Sequence, residues 1–469
     1  VLTMNEDLLK KHITNFWDTE ITPTLIDYIK IPNKSPSFDP DWEEHGHMEK
    51  VLKLAVAWTE KNKPKGSELI VKKSPNRTPL IMLDIPGTTE GNILMYGHLD
   101  KQPEMEGWED GLGPWTPVLK DEKLYGRGGA DDGYALFASI ASVNALKEQN
   151  ISHPRILVLI EFSEESGSPD LPHYMELCSE LIGTPDLVVC LDSGAGDYKR
   201  FWTTTSLRGL IGLKMKVEVL EEGIHSGGAS GHVPSSFRIA RSLLSKIEDE
   251  KTGEVLVEEL HTDIPDYRVK ETEKLVSILG DELVREFPWK DEMKPSTEDI
   301  AEGVLRRTWK PALSIVGSDG LPATANAGNV LRPYTTLQLS MRIPPMVDPQ
   351  KGVDAIKRVL EKNIPYNATI ELDFEEAAEG WNAPETEKWL IDAIEKASNS
   401  YFKQMPGSIG EGGTIPFMAM LGEQFPKAQF VITGVLGPKS NAHGPNEFLH
   451  IPFAKKLTCC ISSILADYK

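Results

Sequence analysis

The stretch GNILMYGHLD, residues 91–100, decides how the rest of the chain is read. Residues 93–96 (ILMY) are a short apolar run, the signature of a buried strand. Gly97 is expected to loosen the backbone after it, and His98 and Asp100 follow. In extended backbone, residues i and i+2 share a face, so an imidazole and a carboxylate would project together from the end of that strand. The pair suits a metal-bound histidine whose tautomer and orientation are held by a neighbouring acid. Taken alone, H-x-D is also the pattern of a turn or a surface ion pair, so its meaning depends on its surroundings.

Outward from this stretch the chain alternates. Residues 80–85 make a strand ahead of it. After it come a loop rich in Gly, Trp and Pro, a short strand at 123–125, and GRGGADDG at 126–133. Residues 134–146 predict an amphipathic helix. Residues 155–162 (RILVLIEF) predict a buried strand, followed at once by Ser163, Glu164, Glu165 and Ser166; residues 187–191 (LVVCL) predict another, followed by Asp192. Such alternation predicts an α/β fold with a mostly parallel sheet and helices on both faces. In sheets of this kind the working residues gather beyond the carboxyl ends of the strands. His98, Asp131, Glu164, Glu165 and Asp192 all stand there.

The character changes near Arg208. Residues 210–220 and 331–343 alternate like half-exposed strands, 235–247 and 353–363 predict helices, and 368–374 a last strand. Between them, 250–305 is a long charged section expected to leave the main body. The parallel-sheet pattern returns after Trp381, with a helix at 387–402, the turn GEGGTIP (410–416), a strand at 429–434, a loop bearing His443 and a closing helix. The division expected is a discontinuous larger domain, 1–206 and 383–469, interrupted by a smaller α/β domain at 207–382.

Composition narrows the function. A chain of 469 residues exceeds one ordinary core. A formal net charge of −21 argues against nucleic acid as a partner, since phosphate binding needs a basic surface. No apolar run reaches the length of a membrane span, and residues 1–12 lack the apolar centre of a signal peptide, so a cytoplasmic location is expected. Cys178, Cys190, Cys459 and Cys460 show no C-x-x-C spacing and read as buried free thiols. GRGGADDG lacks the third glycine of a dinucleotide fingerprint, and neither G-x-S-x-G nor H-E-x-x-H occurs.

What remains is two histidines among carboxylates. Nitrogen and oxygen donors without thiolates suit zinc, manganese or cobalt. Two metals sharing a carboxylate need about five or six ligands, which these residues supply. The adjacent Glu164 and Glu165 then need separate tasks, one as ligand and one as the base for a water.

The series MYGHLDKQP, LYGRGGADD, EESGS, CLDSG and NAHGPNE resembles the co-catalytic zinc peptidases that include carnosinase, aminoacylase and succinyl-diaminopimelate desuccinylase. RRTWKPALSIVGSDG is similar to a segment of the carnosinase-type dipeptidases within that family. The resemblance implies two Zn2+ per chain. His98 and Asp192 would complete one site, Glu165 and His443 the other, with Asp131 bridging, Asp100 orienting His98 and Glu164 as general base. It also implies substrate contacts from His225 (GIHSGG), Arg342 (LSMRIPP), Asn329 and Thr414, and a homodimer formed through the inserted domain, which would act as a lid hinged near residues 206 and 382. A salt-bridged strand residue is the plain alternative for Arg342. The chain departs from the family in two places: Gly133 and then Tyr134 follow the paired acids where most relatives have Lys, and Asn329 stands where carnosinase-type enzymes have Thr. The activity implied is hydrolysis of a peptide or acyl-amide bond beside a free carboxylate, on a small peptide or an N-acyl amino acid. A desuccinylase-like deacylase, or a noncatalytic metal- or peptide-binding protein, are the other readings.

Overall fold

The apolar run at 93–96 lies inside the strand Thr89–His98 of a six-stranded sheet. The computed structural model describes residues 2–469. The sheet order is Glu68–Lys72, Leu80–Ile85, Pro154–Glu161, Thr89–His98, Leu187–Cys190, Gln429–Ile432. The last four strands are parallel and the first two antiparallel, so the sheet is mixed at one edge. The edge strand Glu68–Lys72 was not expected; its residues are half-buried or exposed and carry no long apolar signal.

Alternate side chains feed two cores, as the period of two requires. Ile93, Met95, Ile156, Val158 and Ile160 join one cluster, and Leu94, Tyr96, Leu157 and Leu159 join the other. Both faces are covered, which is why these strands read as continuous apolar runs. The helix Tyr134–Glu148 is buried round most of its circumference and is not amphipathic, because it lies between the sheet and the helices Glu6–Phe16 and Ile451–Ala466. Gly97 is paired strand backbone, opposite Ile160. A Cβ there would fall 2.5 Å from Ala135 Cβ and 2.9 Å from Asp132 Oδ2, so glycine serves close approach, not looseness.

Register then places the site. His98 lies opposite Glu161, and Tyr96 opposite Cys190. The residues that follow each strand therefore emerge at one edge of the sheet. A small sheet of Val118–Lys120, Lys123–Tyr125 and Phe448–His450 brings the His443 loop to that edge.

The second layer is a four-stranded antiparallel sheet, in the order Ala312–Asp319, Tyr334–Ile343, Gly209–Glu218, Thr369–Phe374. The helices Ser236–Ile247 and Pro349–Glu361 close one face over a separate core. Trp381–Asn382 pairs with Trp202–Leu207 where the chain crosses between the layers. The charged section is not an excursion. Leu275, Leu279, Leu283 and Val304 belong to the large core of the parallel-sheet layer, and Arg268 donates to Asn382 Oδ1 (2.9 Å) and to the Ala383 carbonyl (3.2 Å).

Candidate metal centre

The buried His98 ring has acids on both edges. Nδ1 lies 3.2 Å from Asp100 Oδ1 and 3.1 Å from the Asp100 carbonyl oxygen. Nε2 lies 3.3 Å from Asp131 Oδ1, 3.4 Å from Asp192 Oδ1, 3.5 Å from Glu164 Oε2 and 3.8 Å from Glu165 Oε1. Asp100 does more than face the ring. Its carboxylate accepts from the backbone N–H of Glu164 (3.1 Å) and of Glu165 (2.9 Å), fixing the turn that follows the neighbouring strand.

Asp131 presents one oxygen to each histidine: Oδ1 toward His98, and Oδ2 3.0 Å from His443 Nε2. His443 Nε2 is also 3.4 Å from Glu165 Oε2, to which Gln102 donates (2.7 Å). Thus the structure brings His98, Asp131, Glu164, Glu165, Asp192 and His443 together. Two sets of donors lie within 4.8 Å of one another: His98, Asp131 and Glu165, and His98, Asp132 and Asp192.

Asp132 was missed by the sequence reading. Its Oδ2 accepts from the His98 backbone N–H (3.2 Å), while its buried Oδ1 has no partner. Glu447 was missed too, although it lies inside NAHGPNE. Its buried carboxylate takes Arg127 Nη1 (3.0 Å) and the backbone N–H of Gly128 (2.9 Å), which ties the His443 loop to the loop carrying Asp131.

So many acids in one buried place repel each other. Burial, then Asp192 and Glu165, push the Glu164 carboxyl well above its usual range. Burial and Asp131 lift Glu165 to about 8, and burial lifts Asp192 to about 6. Burial lowers the His98 and His443 imidazoles, but the surrounding carboxylates outweigh it and hold both well above the ordinary histidine value. The donor set is nitrogen and oxygen only, and Glu165 Oε1 is buried with no hydrogen-bond partner. Hard or borderline divalent cations fit this arrangement by charge and by donor chemistry.

The donors open into a cleft of about 430 Å³ that Arg342 and Thr414 also line. Arg342 makes no ion pair among the described residues. Its Nη1 donates to Thr414 Oγ1 (3.1 Å), whose hydroxyl donates to the Arg208 carbonyl (2.6 Å). The salt-bridged alternative for Arg342 therefore does not hold. Glu411 shares the cleft wall and was not anticipated, although the GEGG sequence marks its turn. His225 and Asn329 are brought together, since Ser226 N–H donates to the Asn329 carbonyl (2.9 Å) beside the Ile224–His225 and Val330–Leu331 ribbon. Both are exposed, and neither lines this chain's cleft.

The model of Peptidase family M20/M25/M40 matches residues 94–467. The chain is 26% identical to the cysteinylglycine-S-conjugate dipeptidase of Corynebacterium striatum, over 77% of this chain and 79% of that protein. It is 26% identical to the human Beta-Ala-His dipeptidase, over 76% and 70% respectively. Among solved structures, the Saccharomyces cerevisiae di-peptidase Dug1p superposes with a TM-score of 0.81 at 20% identity, covering 99% of this chain and 98% of that one. Human carnosine dipeptidase 1 gives 0.80 at 20% identity, covering 99% of both chains. The protein, with its strand-end acids and histidines in one cleft, belongs to the peptidase family M20/M25/M40.

Proposed function

We propose that the protein is a dipeptidase that depends on two divalent metal ions, zinc by donor preference, with manganese or cobalt as alternatives. The observation that carries this is Asp131, whose two oxygens face two different histidines inside a cleft that also holds Glu164 and Arg342. His98 and Asp192 would hold one ion, His443 and Glu165 the other, and Asp131 both. A bound pair of cations supplies Lewis acidity to a carbonyl oxygen and to a water. Glu164 takes the proton of the attacking water and returns it to the leaving amine. Asp100 keeps the His98 ring and the Glu164–Glu165 turn in place. Arg342, already held by Thr414, presents a planar guanidinium without an internal carboxylate and is suited to the terminal carboxylate of a short peptide. The names of the dipeptidases to which the chain is similar support the same substrate class.

A homodimer belongs to this reading. The strand Ala312–Asp319 is an open sheet edge with Ile315 and Val316 exposed, and Val330 is exposed beside Asn329. In this reading His225 and Asn329, which do not line this chain's own cleft, would serve the cleft of a second copy. We also assign the protein to the cytoplasm, supported by four free, buried cysteines. No helix among the described residues is long and apolar enough to cross a membrane.

The test is turnover of a dipeptide panel beside N-succinyl-diaminopimelate by metal-loaded protein, with Glu164→Ala as control. Dipeptide hydrolysis that disappears in the variant is the expected result. Turnover of the succinyl compound alone would replace the dipeptidase with a deacylase.

A further inference from the structure

A second basin of about 780 Å³ adjoins the cleft, and the two share Glu411 and Leu436 as wall residues. It is almost twice the size of the 430 Å³ cleft and lies in the range that holds whole small-molecule ligands. One wall comes from the charged section that packs back onto the parallel-sheet layer, and it presents Phe287 and Trp289. The other comes from the small sheet beside the metal centre and presents Tyr125 and Phe448.

Both walls are held in place. Arg307 pairs with Glu286 (2.9 Å) and lies 5.1 Å from the Phe287 ring centre. Trp289 Nε1–H donates to the Val284 carbonyl (2.6 Å), so its polar edge is used and the rest of the ring is apolar surface. Across the basin, Tyr125 and Phe448 meet edge to face at 5.6 Å, with Lys123 Nζ 4.8 Å from the Phe448 ring centre. Phe287 and Trp289 are nonetheless 40% and 37% exposed. Two rings left open on a braced wall of a basin joined to the catalytic cleft, which Tyr125 and Phe448 also line, are surface that a ligand would cover. At the partition, the Glu411 side chain makes no hydrogen bond or ion pair among the described residues, while its carbonyl accepts from the Arg208 N–H (3.2 Å).

Arg342, read above as the partner of the terminal carboxylate, lines the cleft but not the basin, and we propose that this basin is a substrate subsite that takes a large aromatic group carried by the residue on the amino side of the scissile bond. The proposal rests on the dipeptidase reading and narrows its substrate class. Aromatic groups suit the walls because ring pairs add to the burial of apolar area, and the basin has room for a group larger than a natural side chain.

The experiment compares kcat/KM for Ala-Gly, Trp-Gly and 4-phenyl-phenylalanyl-Gly in metal-loaded wild-type, Phe287→Ala and Trp289→Ala proteins. The two aromatic substrates are expected to exceed Ala-Gly by tenfold or more, and each variant should lower that ratio about tenfold. A ratio unchanged in both variants, or substrates weakened equally, overturns the subsite. Absence of any dipeptide turnover by the wild type counts against the dipeptidase reading instead. Calorimetric binding of Trp-Gly to Glu164→Gln protein, with and without Trp289→Ala, then decides the basin alone: binding weakened about tenfold by Trp289→Ala supports it, and equal binding overturns it.

Discussion

At His98 one edge of the ring faces Asp100 and the other faces four carboxylates, and this arrangement makes metal binding a proton-linked event. In the metal-free protein the His98 and His443 imidazoles are held well above the usual value, and Glu165 is lifted to about 8. With their proton affinity raised, these groups favour protons that a cation must compete with. Metal affinity is therefore expected to rise as pH goes from 6 to 8, with protons released on binding. Calorimetry in buffers of different ionisation enthalpy measures the number released, and a value near zero at pH 7 would contradict the site. The acids should separate by role. Glu164→Gln is expected to retain both metals and lose turnover by about 10²–10⁴-fold, the range for a general base. Asp100→Ala should instead weaken metal affinity about 10–100-fold, as loss of an orienting acid does.

Between elements, the site depends on strands ending together and on one buried ion pair. Arg127 is 1% exposed and Glu447 0%, and 319 residues of chain lie between them. Glu447→Ala would strand a buried guanidinium, with an expected cost of about 3–5 kcal/mol in urea unfolding. Breaking the exposed pair Lys388–Asp392, which solvent screens, should leave the urea midpoint nearly unchanged. The strands themselves were legible, because each buried run is a local pattern bounded by turn residues. The edge strand Glu68–Lys72 was not, since its apolar run is only Leu69–Val71 and ends in charged residues on both sides. The section 250–305 misled for a related reason. Leu275, Leu279, Leu283 and Val304 stand in short apolar pairs among charged residues, and their common face appears only when the helices Asp266–Leu279, Glu282–Arg285 and Ile300–Thr308 are packed.

Across the whole molecule, the open edge Ala312–Asp319 and the position of His225 and Asn329 outside the cleft belong to one prediction. Sedimentation is expected to show a dimer. Val316→Asp together with Ile315→Lys should shift it toward monomer and lower turnover in proportion to the monomer fraction. Full activity in a monomeric variant would remove the second copy from the mechanism. Metals should also stabilise the fold by mass action, about 4 kcal/mol for each site when free metal is a thousand times its Kd. Chelation should therefore lower Tm, and a melting curve indifferent to chelator would argue against occupied sites.

The sequence by itself determined what depends on neighbours in the chain. The period of two in the buried runs, the helices between them, and the acids and histidines just past strand ends all follow from local sterics and solvent exclusion. From these the α/β class and a candidate cluster at His98, Asp131, Glu164, Glu165 and Asp192 could be read, and the resemblance to the co-catalytic zinc peptidases added His443 to it. Only the tertiary structure decided that Asp131 faces both histidines, that Asp132 supports His98, that Glu447 joins two loops, and that the charged section walls a second basin. Those relations join residues far apart in sequence, and strand register and helix packing, unlike periodicity, leave no mark in any single stretch of the chain.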